Sequence, residues 1–217
     1  MKKTGFIFDL DGVIVDTAKY HYLAWRKLAN ELGFEFTQGQ NEQFKGVSRK
    51  RCLEILLEIG NIKASQEQFN RWLIEKNEDY LSLIEKMDES EILPDVQKVL
   101  QFLRKYHIPM ALGSASKNAR PILEKVNLTD YFKVIVDGTQ VTKAKPDPEV
   151  FLLAAEQMGV RPKECVVFED AVAGIEAANN AGMLSIGIGE KKVLSEAKFV
   201  FANFTEIDDK FLKRLIG

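Results

Sequence analysis

Several features are scarce in this chain. It has only two cysteines in 217 residues, Cys52 and Cys165. They stand far apart with no ligand spacing, which excludes a disulfide framework and a cysteine zinc site and leaves two reduced intracellular thiols. Neither charge is in excess: 30 Lys and Arg face 32 Asp and Glu, a formal net charge of −2. That balance gives no attraction to nucleic acid or to an anionic membrane surface. No apolar run is long enough to span a bilayer. Lys2-Lys3 followed by apolar residues imitates the start of a signal peptide, but the run is short and ends in Asp9-Leu10-Asp11. Internal repeats and low-complexity segments are absent. These absences predict a cytoplasmic protein with neither nucleic acid nor membrane as partner, and nothing among them suggests more than a monomer.

What is present is enough apolar residues, 46% of the chain, for one sizeable core with a smaller accessory domain. Gly5-Phe6-Ile7-Phe8 reads as a buried strand of a parallel sheet. Residues 17 to 88 then lose strand character. Leu23, Leu28 and Leu32 mark a first helix closed by Gly33, and Leu53, Leu56 and Leu57 a second one ending near Gly60. The polar stretch Thr37 to Glu42 lies between them. A third, longer helix begins at Ser65, with Gln68 completing a capping box, and carries Phe69, Trp72, Leu73, Tyr80, Leu81 and Ile84 at helical spacing. From about residue 89, strands and helices alternate to the end, with strands at 109–113, 134–136, 165–168, 184–188 and 199–201. The prediction is an α/β fold, a doubly wound parallel sheet built from residues 1–16 and 89–217, with a helical block, 17–88, inserted after the first strand.

Four polar features fall at the carboxyl ends of predicted strands: Asp9 with Asp11, Ser114, the Lys145 loop, and Glu169 with Asp170. In a parallel sheet these ends share one edge, where open α/β sheets bind ligands. Each feature has an ordinary alternative. An Asp-x-Asp pair occurs in solvated loops, Ser114 can cap a turn, Lys145 can sit on the surface, and Glu169-Asp170 can complement a helix dipole. Together they suit a hard cation and a phosphoryl group, since adjacent carboxylates need a compensating charge and Mg²⁺ takes a few protein oxygens plus water. Ser114, with Ser116-Lys117-Asn118 opening the next helix, would offer a hydroxyl and helix-initial N–H groups to phosphate.

Phe8-Asp9-Leu10-Asp11-Gly12-Val13, Ser114, Lys145-Pro146 and Glu169-Asp170-Ala171-Val172-Ala173-Gly174 resemble, in order and spacing, the four motifs of the haloacid dehalogenase superfamily. The resemblance covers the chain end to end. It implies a Rossmann-like core with an all-helical cap. It also implies Asp9 as a nucleophile that becomes a phosphoaspartate and Asp11 as general acid/base. Mg²⁺ would be held by Asp9, Asp11 through its backbone carbonyl, Glu169 and Asp170. Ser114 would bind the transferring phosphoryl group and Lys145 neutralise its charge. Asp11 argues against a dehalogenase, a subclass lacking that carboxylate.

The helical block carries the substrate information. Thr17, His21 and Trp25, four apart, share one helix face that starts beside the catalytic loop; an isolated pair of this kind would read as core. Lys45-Gly46-Val47-Ser48-Arg49 is a small-residue loop with two cations, otherwise a solvated turn, and Arg49 suits a phosphate. With Ser114-Ala115-Ser116-Lys117-Asn118 these stretches resemble the hexose-phosphate mutases of the superfamily. That resemblance implies a sugar phosphate as substrate. It implies binding by Thr17, His21, Trp25, Lys45, Gly46, Val47, Ser48, Arg49, Cys52, Lys76 and residues Ser114 to Asn118. Cys52 and Ala171 depart from the family pattern, each where a hydroxyl is usual. A sugar-phosphate phosphatase is the alternative.

Overall fold

The computed structural model describes residues 4–44 and 47–217. Six parallel strands form one sheet in the order β3-β2-β1-β4-β5-β6. They are β1 (Gly5–Phe8), β2 (Met110–Gly113), β3 (Val134–Val136), β4 (Cys165–Glu169), β5 (Leu184–Ile188) and β6 (Phe199–Phe201). β1 is central, with Phe8 registered to Leu112 on one side and Phe168 on the other. Strand periodicity divides its side chains: Phe6 and Phe8 enter one apolar layer, Ile7 the other. Phe8 stacks on Phe168 with ring centroids 5.0 Å apart. Burial of one such side chain contributes roughly 1.5–3 kcal/mol, so both faces of β1 are firmly seated.

The helices covering the sheet are α5 (Val96–Lys105), α6 (Ala119–Lys125), α7 (Glu149–Met158), α8 (Val172–Asn180) and α9 (Asp209–Ile216). Between β1 and α5 lies the helical block: α1 (Ala18–Glu31), α2 (Gln38–Asn41), α3 (Arg49–Ile59) and α4 (Gln66–Ile84). Its own apolar cluster is built on Trp25, Phe36, Phe44, Leu53, Leu56 and Trp72. The two chain passages joining it to the sheet run side by side: Asp16 N donates to Glu91 O at 2.9 Å and Leu93 N to Ile14 O at 3.0 Å. Among the described residues no helix is long and apolar enough to cross a membrane.

Three local expectations need correction. Leu23 is 44% exposed, and the buried stripe of α1 is instead Ala24, Trp25, Leu28 and Ala29; these share one helix face, and Leu23 falls outside it. Leu81 is 38% exposed on the cleft side of α4. The polar stretch after Phe36 contains the short helix α2, because Thr37 and Gln40 cap each other's backbone N–H groups. That local exchange stabilises a turn with no apolar periodicity.

Candidate active site

β1 ends at Phe8, and Asp9 continues the ladder, its N–H bonding Phe168 O at 3.0 Å. Its carboxylate is therefore aimed by the strand. Lys145, on the loop after β3, reaches it: Nζ lies 2.5 Å from Asp9 Oδ1 and 2.5 Å from Glu169 Oε1. All three groups are buried. Burial alone would strip the lysine of its charge, but the two carboxylates overcome that and raise its pKa. Glu169 also accepts the Ala171 N–H at 2.8 Å. A Cβ at Gly174 would stand 1.9 Å from Glu169 Oε1, so the first turn of α8 must be bare there.

After Asp9 the chain turns through Gly12, at φ +78°. A Cβ there would meet Asp170 Oδ2 at 2.2 Å, so the Asp170 carboxylate rests directly on the turn carrying Asp11. Asp11 accepts a hydrogen bond from the Thr17 hydroxyl. Burial, and then the charge of Asp9, raises its pKa to about 6. Thr17 is the N-cap of α1 yet makes no side-chain cap bond. Its hydroxyl is committed to Asp11 instead. His21, one turn on, places Nε2 3.8 Å from Asp11 Oδ1, and its Nδ1 lies 3.0 Å from Lys76 Nζ. Burial, Lys76 and Arg49 hold the imidazole well below its usual pKa.

Lys76 is 2% exposed, with Nζ 4.6 Å from the Trp25 ring centroid and 4.8 Å from that of Tyr80. Burial and the neighbouring Arg49 lower its pKa to about 7. Most helix lysines are solvated, whereas this one is buried on the wall of the cleft.

A cleft of about 880 Å³ separates the sheet edge from the helical block. Asp9, Asp11, Asp170, Ser114, Ala115, Ser116 and Lys117 line its sheet side, and His21, Trp25, Val47, Ser48, Arg49, Cys52 and Lys76 its helical side. Ser114 Oγ accepts the Ser116 N–H at 3.1 Å and Ser116 Oγ the Asn118 N–H at 3.2 Å. Each hydroxyl proton is thereby left for an anionic ligand. The Cys52 thiol is pushed up to about 12 by burial and points at Phe44 O, 3.8 Å away.

The structure does not bring every expected residue to the cleft surface. Thr17 is fully buried behind Asp11. Asn118 turns aside and donates to Asn77 Oδ1 of α4 at 3.0 Å. Lys145 and Glu169 are buried and do not line the cleft, Lys145 meeting its wall at Asp9. Lys45 and Gly46 lie outside the described residues. Gly138 and Asp137 went unnoticed in the sequence. A Cβ at Gly138 would lie 2.3 Å from Ala115 O, and Asp137 Oδ1 accepts the Thr139 N–H at 2.9 Å, so this turn shapes the Ser114 loop. A short run of Asp and Gly after β3 was the available signal.

Among the described residues, no three His, Cys, Asp or Glu side chains cluster closely enough to cage an ion unaided. A hard cation that keeps its waters does not require such a cage. The Asp9 and Asp170 carboxylates, both lining the cleft beside the Gly12 turn, are donors of the right kind for it. A strand-end carboxylate beside a fixed lysine, a second carboxyl of raised pKa and free hydroxyl donors form an arrangement suited to phosphoryl transfer.

Known proteins agree with this class. Residues 3–182 match the family model of haloacid dehalogenase-like hydrolases. The chain belongs to that family. It is 39% identical over 203 residues to a β-phosphoglucomutase of Bacillus subtilis, covering 93% of this chain and 90% of that one. It is 35% identical over 198 residues to a phosphorylated carbohydrates phosphatase of Thermotoga maritima, covering 88% and 89%. The crystal structure of β-phosphoglucomutase from Clostridium difficile superposes with a TM-score of 0.94 at 40% identity, covering 100% of this chain and 97% of that one.

Proposed function

We propose that this protein is a β-phosphoglucomutase, interconverting β-D-glucose 1-phosphate and D-glucose 6-phosphate. The observation that carries this reading is the cation set on the helical side. Arg49 and the buried Lys76 face Asp9 and Asp11 across one cleft, so a substrate with two phosphates, one at each end, is held at both. The mutase relatives support the same reading.

Phosphorylated Asp9 donates to the C6 hydroxyl of β-glucose 1-phosphate. The O6–P bond forms, the Asp9 O–P bond breaks, and the hydroxyl proton passes to Asp11. The resulting β-glucose 1,6-bisphosphate exchanges its ends. Asp9 then attacks the phosphorus at C1, the C1 oxygen leaves with the proton from Asp11, and glucose 6-phosphate departs. Ser114 and Ser116 donate to the transferring group and Lys145 holds the charge of Asp9. Asp9, Asp170 and the Asp11 carbonyl would hold Mg²⁺, with Glu169 supporting through Lys145. When bound there, the cation would supply neutralisation of charge on the transferring phosphoryl oxygens. Residues 17–88 act as a cap that excludes water from the phosphoaspartate. Activity in excess chelator should fall to background and return with added Mg²⁺; unchanged turnover would remove the metal from this scheme.

The charge on Lys76 gives a pH signature. A lysine with a pKa of about 7 is cationic below that pH and neutral above it. The KM for β-glucose 1-phosphate should therefore rise as pH increases through about 7, and this rise should vanish in Lys76→Met. A flat KM profile in the parent enzyme would show that Lys76 does not meet the phosphate.

The phosphatase relative gives the second reading. The deciding experiment supplies β-glucose 1-phosphate, Mg²⁺ and a trace of the bisphosphate, and follows glucose 6-phosphate and inorganic phosphate in parallel. Stoichiometric phosphate without glucose 6-phosphate would replace the mutase with a phosphatase.

A further inference from the structure

The helix α4 brings a second aromatic residue to the site. Tyr80 is fully buried, one helical turn beyond Lys76. Its ring stacks on His21 with centroids 4.1 Å apart and planes 17° apart. Its hydroxyl oxygen is buried and makes no hydrogen bond. A buried phenol without a partner is destabilising, so leucine or phenylalanine would pack there more favourably. Nearby, Thr17 has already given up its capping role to donate to Asp11. A threonine hydroxyl has one proton and two acceptor sites. With its proton on Asp11, Thr17 has room to accept one, and the Tyr80 O–H stands beside it with nothing else to bond.

We propose that Tyr80 is a positioning residue for Asp11. Its ring fixes the His21 imidazole, and its hydroxyl donates to Thr17 once the helical block settles on substrate, locking the Thr17 proton toward Asp11. The inference rests on the assignment of Asp11 as acid/base in the mutase scheme.

The test uses Tyr80→Phe, Thr17→Val and the double variant in the full chain, with β-glucose 1-phosphate, Mg²⁺ and trace bisphosphate. Tyr80→Phe keeps the stacked ring and removes only the orphan oxygen. Its Tm should be unchanged or higher, its KM within about twofold of the parent, and its kcat about tenfold lower or more, a fraction of what a positioned acid/base contributes. In the Thr17→Val background the same change should add nothing further, since Tyr80 acts through Thr17. A kcat within twofold of the parent, or losses that multiply in the double variant, would overturn the proposal and leave Tyr80 as core. The mutase reading fails separately. If the parent releases phosphate and makes no glucose 6-phosphate, the same ratios are read on phosphate release, and Tyr80 is judged there.

Discussion

Asp9→Asn is expected to lower conversion of β-glucose 1-phosphate by at least about 10⁴-fold, the scale on which removing a covalent nucleophile acts, while the fold survives. The amide is isosteric with the carboxylate, so the strand-end geometry is retained, including the Asp9 N–H bond to Phe168 O. What is lost is the anionic oxygen that attacks phosphorus in the proposed scheme. Lys145 keeps one carboxylate partner, Glu169, at 2.5 Å, so thermal denaturation should shift by only a few degrees. Acid-quenched parent protein should carry one added phosphoryl group by mass spectrometry, mapping to the peptide with Asp9, and the variant none. Turnover near that of the parent in Asp9→Asn would remove Asp9 as nucleophile.

Lys145→Ala should be the most damaging change to stability at the site. The lysine bridges two carboxylates, and its side chain and that of Glu169 are each 1% exposed. Removing it leaves two buried like charges facing each other, and breaking a buried ion pair from one side is destabilising by about 3–5 kcal/mol. At roughly 2–4 °C per kcal/mol for a chain of this size, Tm should fall by about 6–20 °C. The deficit should depend on pH in a defined sense. Burial raises the pKa of Glu169, and without Lys145 only the Ala171 N–H is left to oppose it. The folded variant therefore binds a proton more tightly than its unfolded chain. Its deficit is smallest below the ordinary carboxylate range and grows as pH rises through the elevated folded value. Activity should also collapse, because Asp9 loses the group that fixes its oxygen. A variant as stable as the parent at neutral pH, or one whose deficit grows on acidification, would contradict the bridged arrangement.

These effects separate what is local from what is not. Asp9 and Asp11 were legible because a buried parallel strand cannot carry carboxylates inside it, so acids directly after Phe8 must lie at its end. Ser114, Lys145 and Glu169 followed from the same rule, since parallel strands share their carboxyl edge. α4 began where Ser65 and Gln68 cap each other, an interaction confined to four residues. The failures arose where only packing decides. Leu23 and Leu81 carry the right side chains for a core but fall outside the faces that α1 and α4 bury.

The strand-end chemistry of this chain was thus determined by its sequence, through strand periodicity, capping and the polarity of a parallel sheet, all short-range or topological rules. The depth of each group was decided only by the tertiary structure. Lys76 reads as one more helix lysine until Trp25, Tyr80 and His21 enclose it, and Thr17 as an N-cap until Asp11 comes within reach. Tyr80 reads as a core aromatic until its hydroxyl is found buried without a partner beside Thr17. Burial and proximity set the charge and hydrogen bonding of such groups, and both come from segments distant in the chain.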